Sequence, residues 1–498
     1  MTDYFGGQTN YSYDALGRLT SLTNPFGEVT TFQYDANSRL IRKNLANGTY
    51  TTYSYNSRGF LTGICNYKSN GTLLTYATYT YDAVGNRLSM STPEGNYTYS
   101  YDAIYRLTGE VNPIGGTYSY TYDAVGNRLS MTHNGQTINY VYDAGNKLLQ
   151  AGNTTFTYDG NGNMVSKTEN GQTTTYVYNY EDKMIQVNLP NGSTIVYSYD
   201  HSGKRIAKTA GGTTIDYYFD GDDLITEAQG ASILAYYTQG QGLISQRRNN
   251  ASYFYHYDGL GSTKALTDAN QNIQNTTKYD AWGNILQSSG TITNPYLYVG
   301  ELGYYGDGDA GMYLLTQRWY NPVIGRFVVR DPLNELAHYL YVTENPLNRR
   351  DPEGTGIRDW LRRRKEEIWK KMFMKICKDA CETALTEWGW IGKFSCELTC
   401  EALWEAAKDF RDFCKWMKGL EKEHSLCKMA ESQYNNYYYY CPMFCVQQSR
   451  CQTCCEGVAH RRGEWPSGDG YTWCTDRCSN RGGWKGKLSY YVYGDLTW

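Results

Sequence analysis

Thr80–Met90 reads TYDAVGNRLSM, and Thr121–Met131 repeats the same eleven residues without a change. Leading into the second copy, Tyr118-Ser119-Tyr120-Thr121-Tyr122 alternates aromatic and hydroxyl side chains. Three rings therefore share one face of a strand, and two hydroxyls the other. Asp123 to Asn127 supplies a turn, with Gly126-Asn127 at positions that tolerate positive φ. Arg128–Thr132 returns as a second strand, and Asn134-Gly135 closes the next hairpin with the strongest two-residue turn signal. The aspartate can accept hydrogen bonds from turn amides, which explains why asparagine replaces it elsewhere.

The Tyr-Asp mark recurs at Asp14, Asp35, Asp82, Asp102, Asp123, Asp143, Asp159, Asp200, Asp258 and Asp280. Variant marks stand at Tyr55-Asn56, Tyr178-Asn179 and Phe219-Asp220. A hairpin buries too little surface to stand alone, so such units stack into one long sheet. Strand twist makes a long sheet coil, and a coiled sheet either closes into a shell or exposes sticky edges. The expected fold is mainly β: a coiled, cocoon-like hairpin shell over 1–256. The composition agrees. Tyr and Gly each number 51 and Pro only 11, so tyrosine rings must supply most of the core. The Asn-Gly-Thr and Asn-Gly-Ser triplets at Asn47 and Asn191 read as turns leading into strands, not as glycan acceptors.

Charge and cysteine divide the chain. Residues 357–498 hold 23 Lys/Arg and 19 Asp/Glu, a net of +4, which leaves −7 for the remainder of a chain whose net charge is −3. Neither value alone predicts nucleic-acid binding. One of the 14 cysteines is Cys65; the others lie from Cys377 to Cys478. No basic segment followed by an apolar run marks a secretory leader, and no apolar stretch is long enough to span a membrane. The chain starts almost directly on a repeat, at Tyr11–Asp14, as an N-terminally incomplete piece of a longer protein would.

The segment 257–356 carries an ordered series of landmarks: Tyr257-Asp258-Gly259-Leu260-Gly261-Ser262, Tyr279-Asp280-Ala281-Trp282-Gly283, Tyr313 through Phe327, Arg330-Asp331-Pro332, Asn345-Pro346-Leu347 and Asp351-Pro352-Glu353-Gly354. This series resembles the Rhs repeat-associated core of the YD/Rhs family, which also includes teneurins and toxin-complex C components. The resemblance implies a hollow β-shell whose core segment folds inward as a plug, with the variable polypeptide that follows held as cargo. Many members cut the chain after Asp-Pro-x-Gly-Leu with two aspartates acting as an aspartic-protease-like pair. Residue by residue, that role falls on Asp331 and Asp351, with Arg318 as supporting cation. The scissile bond would join Thr355 and Gly356. Threonine stands where the family has leucine, and Trp319 stands where toxin-complex members often carry a third acid. Two carboxylates sharing a proton can activate water and protonate the leaving amine; the plainer reading makes both Asp-Pro pairs turn starters.

Beyond the core, residues 357–430 read as helices and 431–498 as a second cysteine-rich module. Cys377 and Cys381 share one helix face, as do Cys396 and Cys400, so an antiparallel helix pair would nest disulfides Cys377–Cys400 and Cys381–Cys396. No cofactor is expected elsewhere. In the last module, zinc on Cys451, Cys454, Cys474, Cys478 and His460 competes with further disulfides. A nuclease-like cluster around His460, Arg461, Arg462, Glu464 and Asp469 matches no motif.

These readings favour a secreted or cell-surface carrier whose partners are its own C-terminal cargo, a secretion machinery and an immunity protein. A surface adhesin binding glycans with a stapled, non-catalytic tail is the alternative, and a degenerate fragment the third.

Overall fold

The computed structural model describes residues 1–331 and 338–354. The chain divides into two compact units, Met1–Arg362 and Arg363–Trp498. Thr355, Gly356 and the whole second unit, with all the tail cysteines, lie outside the described residues.

The alternation decides the strands. In Gly116–Tyr122 the rings of Tyr118 and Tyr120 are buried while Ser119 and Thr121 face solvent. Twenty-eight such strands, from Asn10–Tyr13 to Ile285–Ser289, form one antiparallel sheet. At each mark the aspartate builds the turn as its chemistry dictates. Asp123 Oδ1 accepts the amides of Val125 and Asn127, and Oδ2 accepts the Asn127 side chain. Gly126 sits at φ 100°, and Asn134-Gly135 turns with both residues at positive φ.

A bulge follows each Tyr-Asp turn. Thr121 pairs Ser130 while Tyr122 pairs Arg128, leaving Leu129 as the extra residue. That shift sends Arg128 inward, 3% exposed in its side chain, and Leu129 outward at 43%. The buried guanidinium lies over the rings of Trp282 and Tyr120. A tyrosine-faced wall thus takes cations where an aliphatic wall would take leucine.

The bulge also interrupts the ladder and frees a carbonyl, which the next repeat satisfies. Leu107 stands opposite Tyr101 at one such bulge, and the Tyr122 hydroxyl donates to Leu107 O at 2.6 Å. The same bond recurs from Tyr34, Tyr55, Tyr81, Tyr101, Tyr142, Tyr178, Tyr199, Tyr257 and Tyr279. Phenylalanine could fill the space but not the hydrogen bond. Tyr122→Phe is expected to cost roughly 1 kcal/mol, read as a lower urea midpoint at unchanged slope.

The sheet coils until residues about 200 apart in sequence meet, yet among the described residues it does not close by strand pairing: each of its strands pairs only with its neighbours in sequence. Side chains and turns join the successive coils instead. Asn24 bonds Thr238, Asn47 bonds Asp268 O, the Gly259 amide donates to the Tyr79 hydroxyl, and the Ala281 amide donates to Glu110. The expectation of a shell holds, by interlock and not by a continuous ladder.

From Tyr296 the chain leaves the wall and packs against its ring-bearing face. Four short strands, Tyr305–Asp307, Met312–Leu315, Arg318–Asn321 and Arg326–Phe327, form the core of this plug. Tyr97, Tyr99, Tyr118 and Tyr120 of the wall cluster with Trp282, Tyr298, Tyr304, Tyr320, Phe327 and Tyr341. Polar hooks fix the plug to successive wall turns. Arg87 N donates to Asn348, while Asn345, Arg326, Tyr339 and Gln317 donate to the carbonyls of Tyr105, Asn146, Gly162 and Ser202.

Candidate active site

The plug brings Arg318, Asp331 and Asp351 together. Leu315 pairs Arg318 across a two-residue turn in which Thr316 adopts φ 48°. Arg318 enters the interior directly after it, with its guanidinium 3.7 Å from the centre of the Phe327 ring. Its Nη2 lies 2.9 Å from Asp331 Oδ2 and 3.6 Å from Asp351 Oδ2, and all three side chains are at most 3% exposed. One nitrogen therefore serves both carboxylates. Burial pulls the Arg318 pKa below its ordinary value, opposed by the charges of Asp331 and then Asp351; arginine keeps its proton regardless.

Backbone contacts set the two aspartates. The Asp331 amide donates to His338 O at 2.7 Å. The Asp351 amide donates to the Tyr304 hydroxyl at 2.9 Å, and Asp351 O receives the Gly354 amide at 3.1 Å. The resulting turn lays residues 351–354 on the Leu315–Arg318 hairpin. Gln317 N donates to Glu353 O at 3.1 Å, and Arg318 Nε donates to Gly354 O. Gly354 sits at φ +69°, and a Cβ there would meet Leu315 O at 2.6 Å. Only glycine brings this segment so close to Arg318.

Of the residues named from sequence, Arg318, Asp331 and Asp351 converge, while Thr355 and Gly356 lie beyond the described residues. Trp319, at the third-acid position, turns into the wall and donates its indole N–H to the Tyr199 hydroxyl at 3.2 Å. Tyr304 escaped sequence reasoning because nothing distinguishes it among 51 tyrosines. Chemically, the site offers two carboxylates for proton transfer, one fixed cation, and a chain segment held against them. Among the described residues no group of His, Cys, Asp and Glu could hold a metal ion, and no helix is long and apolar enough to cross a membrane.

The same architecture occurs in solved structures. The Photorhabdus luminescens Tc holotoxin pore superposes on 70% of this chain with a TM-score of 0.58 at 19% identity, over 21% of its own chain. A TcdB2–TccC3 structure without its hypervariable C-terminal region gives a TM-score of 0.57 at the same identity and coverages. Among curated proteins, the tRNA nuclease WapA of Bacillus subtilis is 33% identical over 120 residues, 22% of this chain and 5% of its own length. The double-stranded DNA deaminase toxin A of Burkholderia cenocepacia is 29% identical over 109 residues, 20% of this chain and 7% of its own. This chain thus spans a small fraction of these relatives. The RHS repeat model matches residues 1–29, 13–43 and 34–64. The teneurin YD-shell model matches residues 86–346, just over half of the chain, and the chain belongs to that family.

Proposed function

We propose that this protein is a carrier shell for its own C-terminal stretch, residues 357–498, and that it frees this cargo by cutting the Thr355–Gly356 bond. The observation that carries the reading is the convergence of Asp331 and Asp351 on Arg318, with Gly354 held on the same guanidinium. In the step proposed, one carboxylate takes a proton from water as it attacks the Thr355 carbonyl. Its partner, protonated, gives its proton to the Gly356 nitrogen as the amide breaks, leaving a Thr355 carboxylate and a free amine. Arg318 holds the pair and the segment in register. The names of the relatives, a tRNA nuclease and a DNA deaminase toxin, support an effector as cargo. An exported effector calls for a secretion route and for an immunity protein in the producing cell.

Containment and cutting are read together by chromatography of the purified chain. The expected result is one native peak that separates into two polypeptides, meeting near residue 355, only in denaturant. A single uncut polypeptide contradicts the cut, and two pieces that separate without denaturant contradict containment.

A further inference from the structure

The Asp351 amide lies in a fully buried setting where water cannot satisfy it, and its acceptor is a phenol. Tyr304, fully buried, takes this N–H on its hydroxyl at 2.9 Å. A second buried phenol, Tyr341, lies 3.0 Å from the Tyr304 oxygen. With the Asp351 N–H occupying a Tyr304 lone pair, the two hydroxyls order each other. Tyr341 is braced in turn: its ring lies 4.2 Å from that of Tyr320. It also precedes an unusual turn, Val342–Glu344, in which three successive non-glycine residues have φ of 44°, 52° and 60°. β-Branched residues avoid this region. The turn persists because its ends are anchored, with Val342 and Glu344 buried and Asn345 hooked to Tyr105 O and Asn86. The wall thus fixes the turn, the turn fixes Tyr341, and Tyr341 fixes Tyr304.

We propose that Tyr304, braced by Tyr341, is the positioning residue of the candidate protease, holding the Asp351 backbone so that its carboxylate shares Arg318 with Asp331. This inference rests on the self-cleavage reading above. Tyr304 touches no scissile atom; it acts through Asp351. The Asp351 amide and carbonyl are bonded at either end of the residue, to Tyr304 and to Gly354, so rotation about its Cα is restricted and the side chain is aimed. Without the phenol oxygen a buried amide loses its acceptor, and the backbone shifts to find another. Among the described residues, the charged and titratable groups around Asp351 include Arg318 and Asp331, which share its ion pair, Tyr304 with its partner Tyr341, and Arg350 next to it in the chain. A shift away from Arg318 removes the cation that favours the ionised carboxylate.

The test is the rate of self-cleavage of the full chain, refolded from denaturant, as a function of pH, in wild type, Tyr304→Phe and Tyr341→Phe. Tyr304→Phe is expected to cut about ten- to a hundredfold more slowly, from the loss of one buried hydrogen-bond acceptor. Its acid limb should move to higher pH as Asp351 loses contact with Arg318. Tyr341→Phe keeps the bond to Asp351 and loses only the brace, so it should move the same limb by a smaller amount; if Tyr304→Phe does not fold, this variant decides. Folded variants that cut at the wild-type rate, or that slow equally at all pH with an unmoved limb, overturn the positioning role while leaving self-cleavage intact. A wild type that never cuts overturns self-cleavage itself, and the role of Tyr304 with it.

Discussion

Arg318→Ala is expected to destabilise the shell unit by about 3–5 kcal/mol, the usual cost of removing one partner from a buried ion pair. Two nearly inaccessible carboxylates share this guanidinium, and alanine leaves them facing each other without the cation between them. The packing of the guanidinium on Phe327 and its bond to Gly354 O are lost as well. Thermal melts of wild type and variant check this, and an unchanged midpoint in the variant contradicts it. Arg318→Lys should recover only part of the loss, since an ammonium lacks the planar fork that reaches several acceptors.

Wild-type stability should also fall as pH rises from mildly acidic to alkaline, and Glu110→Gln should remove much of that fall. Glu110 is fully buried, and burial, followed by the charge of Asp280, pushes its carboxyl up to about 8. Burial raises Asp280 too. Asp280 accepts the Trp282 and Asn284 amides and the Asn284 side chain, so it is the member that carries the charge. Glu110 is then the protonated one. Its folded pKa exceeds its unfolded value, so the stability it contributes is complete below about pH 4.5 and lost as pH climbs through about 8. Raising this carboxyl so far corresponds to on the order of 5 kcal/mol. Glu344, raised by burial to about 7 despite the nearby Arg128, adds a decline of the same sign. Both acids sit where one part of the unit locks onto another: Glu110 receives the Ala281 amide from the next coil, and Glu344 of the plug faces Arg128 of the wall. Chemical denaturation of wild type and Glu110→Gln across this range gives the answer; parallel curves would contradict the assignment.

The hairpins were legible because two local rules suffice for them. Alternation places Tyr118 and Tyr120 on one face, and a carboxylate two and four residues before amides builds the Asp123 turn. The bulge was not legible. Arg128-Leu129 reads as polar beside apolar, yet the single extra residue reverses which of them is buried. That reversal depends on ring faces contributed by Trp282, far away in sequence. The interlock of coils escaped for the same reason, since Asn24 carries no local sign that Thr238 will meet it. In the site, the Asp331, Asp351 and Arg318 set came from an ordered series of landmarks and not from spacing. Their separations in sequence bear no relation to their distances in space. Tyr304 had no landmark at all; only the fold shows its hydroxyl on the Asp351 amide.

Intact-mass analysis of the purified full chain beside Asp331→Asn and Asp351→Asn is the most direct measurement. Two wild-type masses that divide the chain between Thr355 and Gly356, with one full-length mass for each variant, are the result predicted. A full-length wild type, or cleavage that persists at the same bond in either variant, would contradict the account.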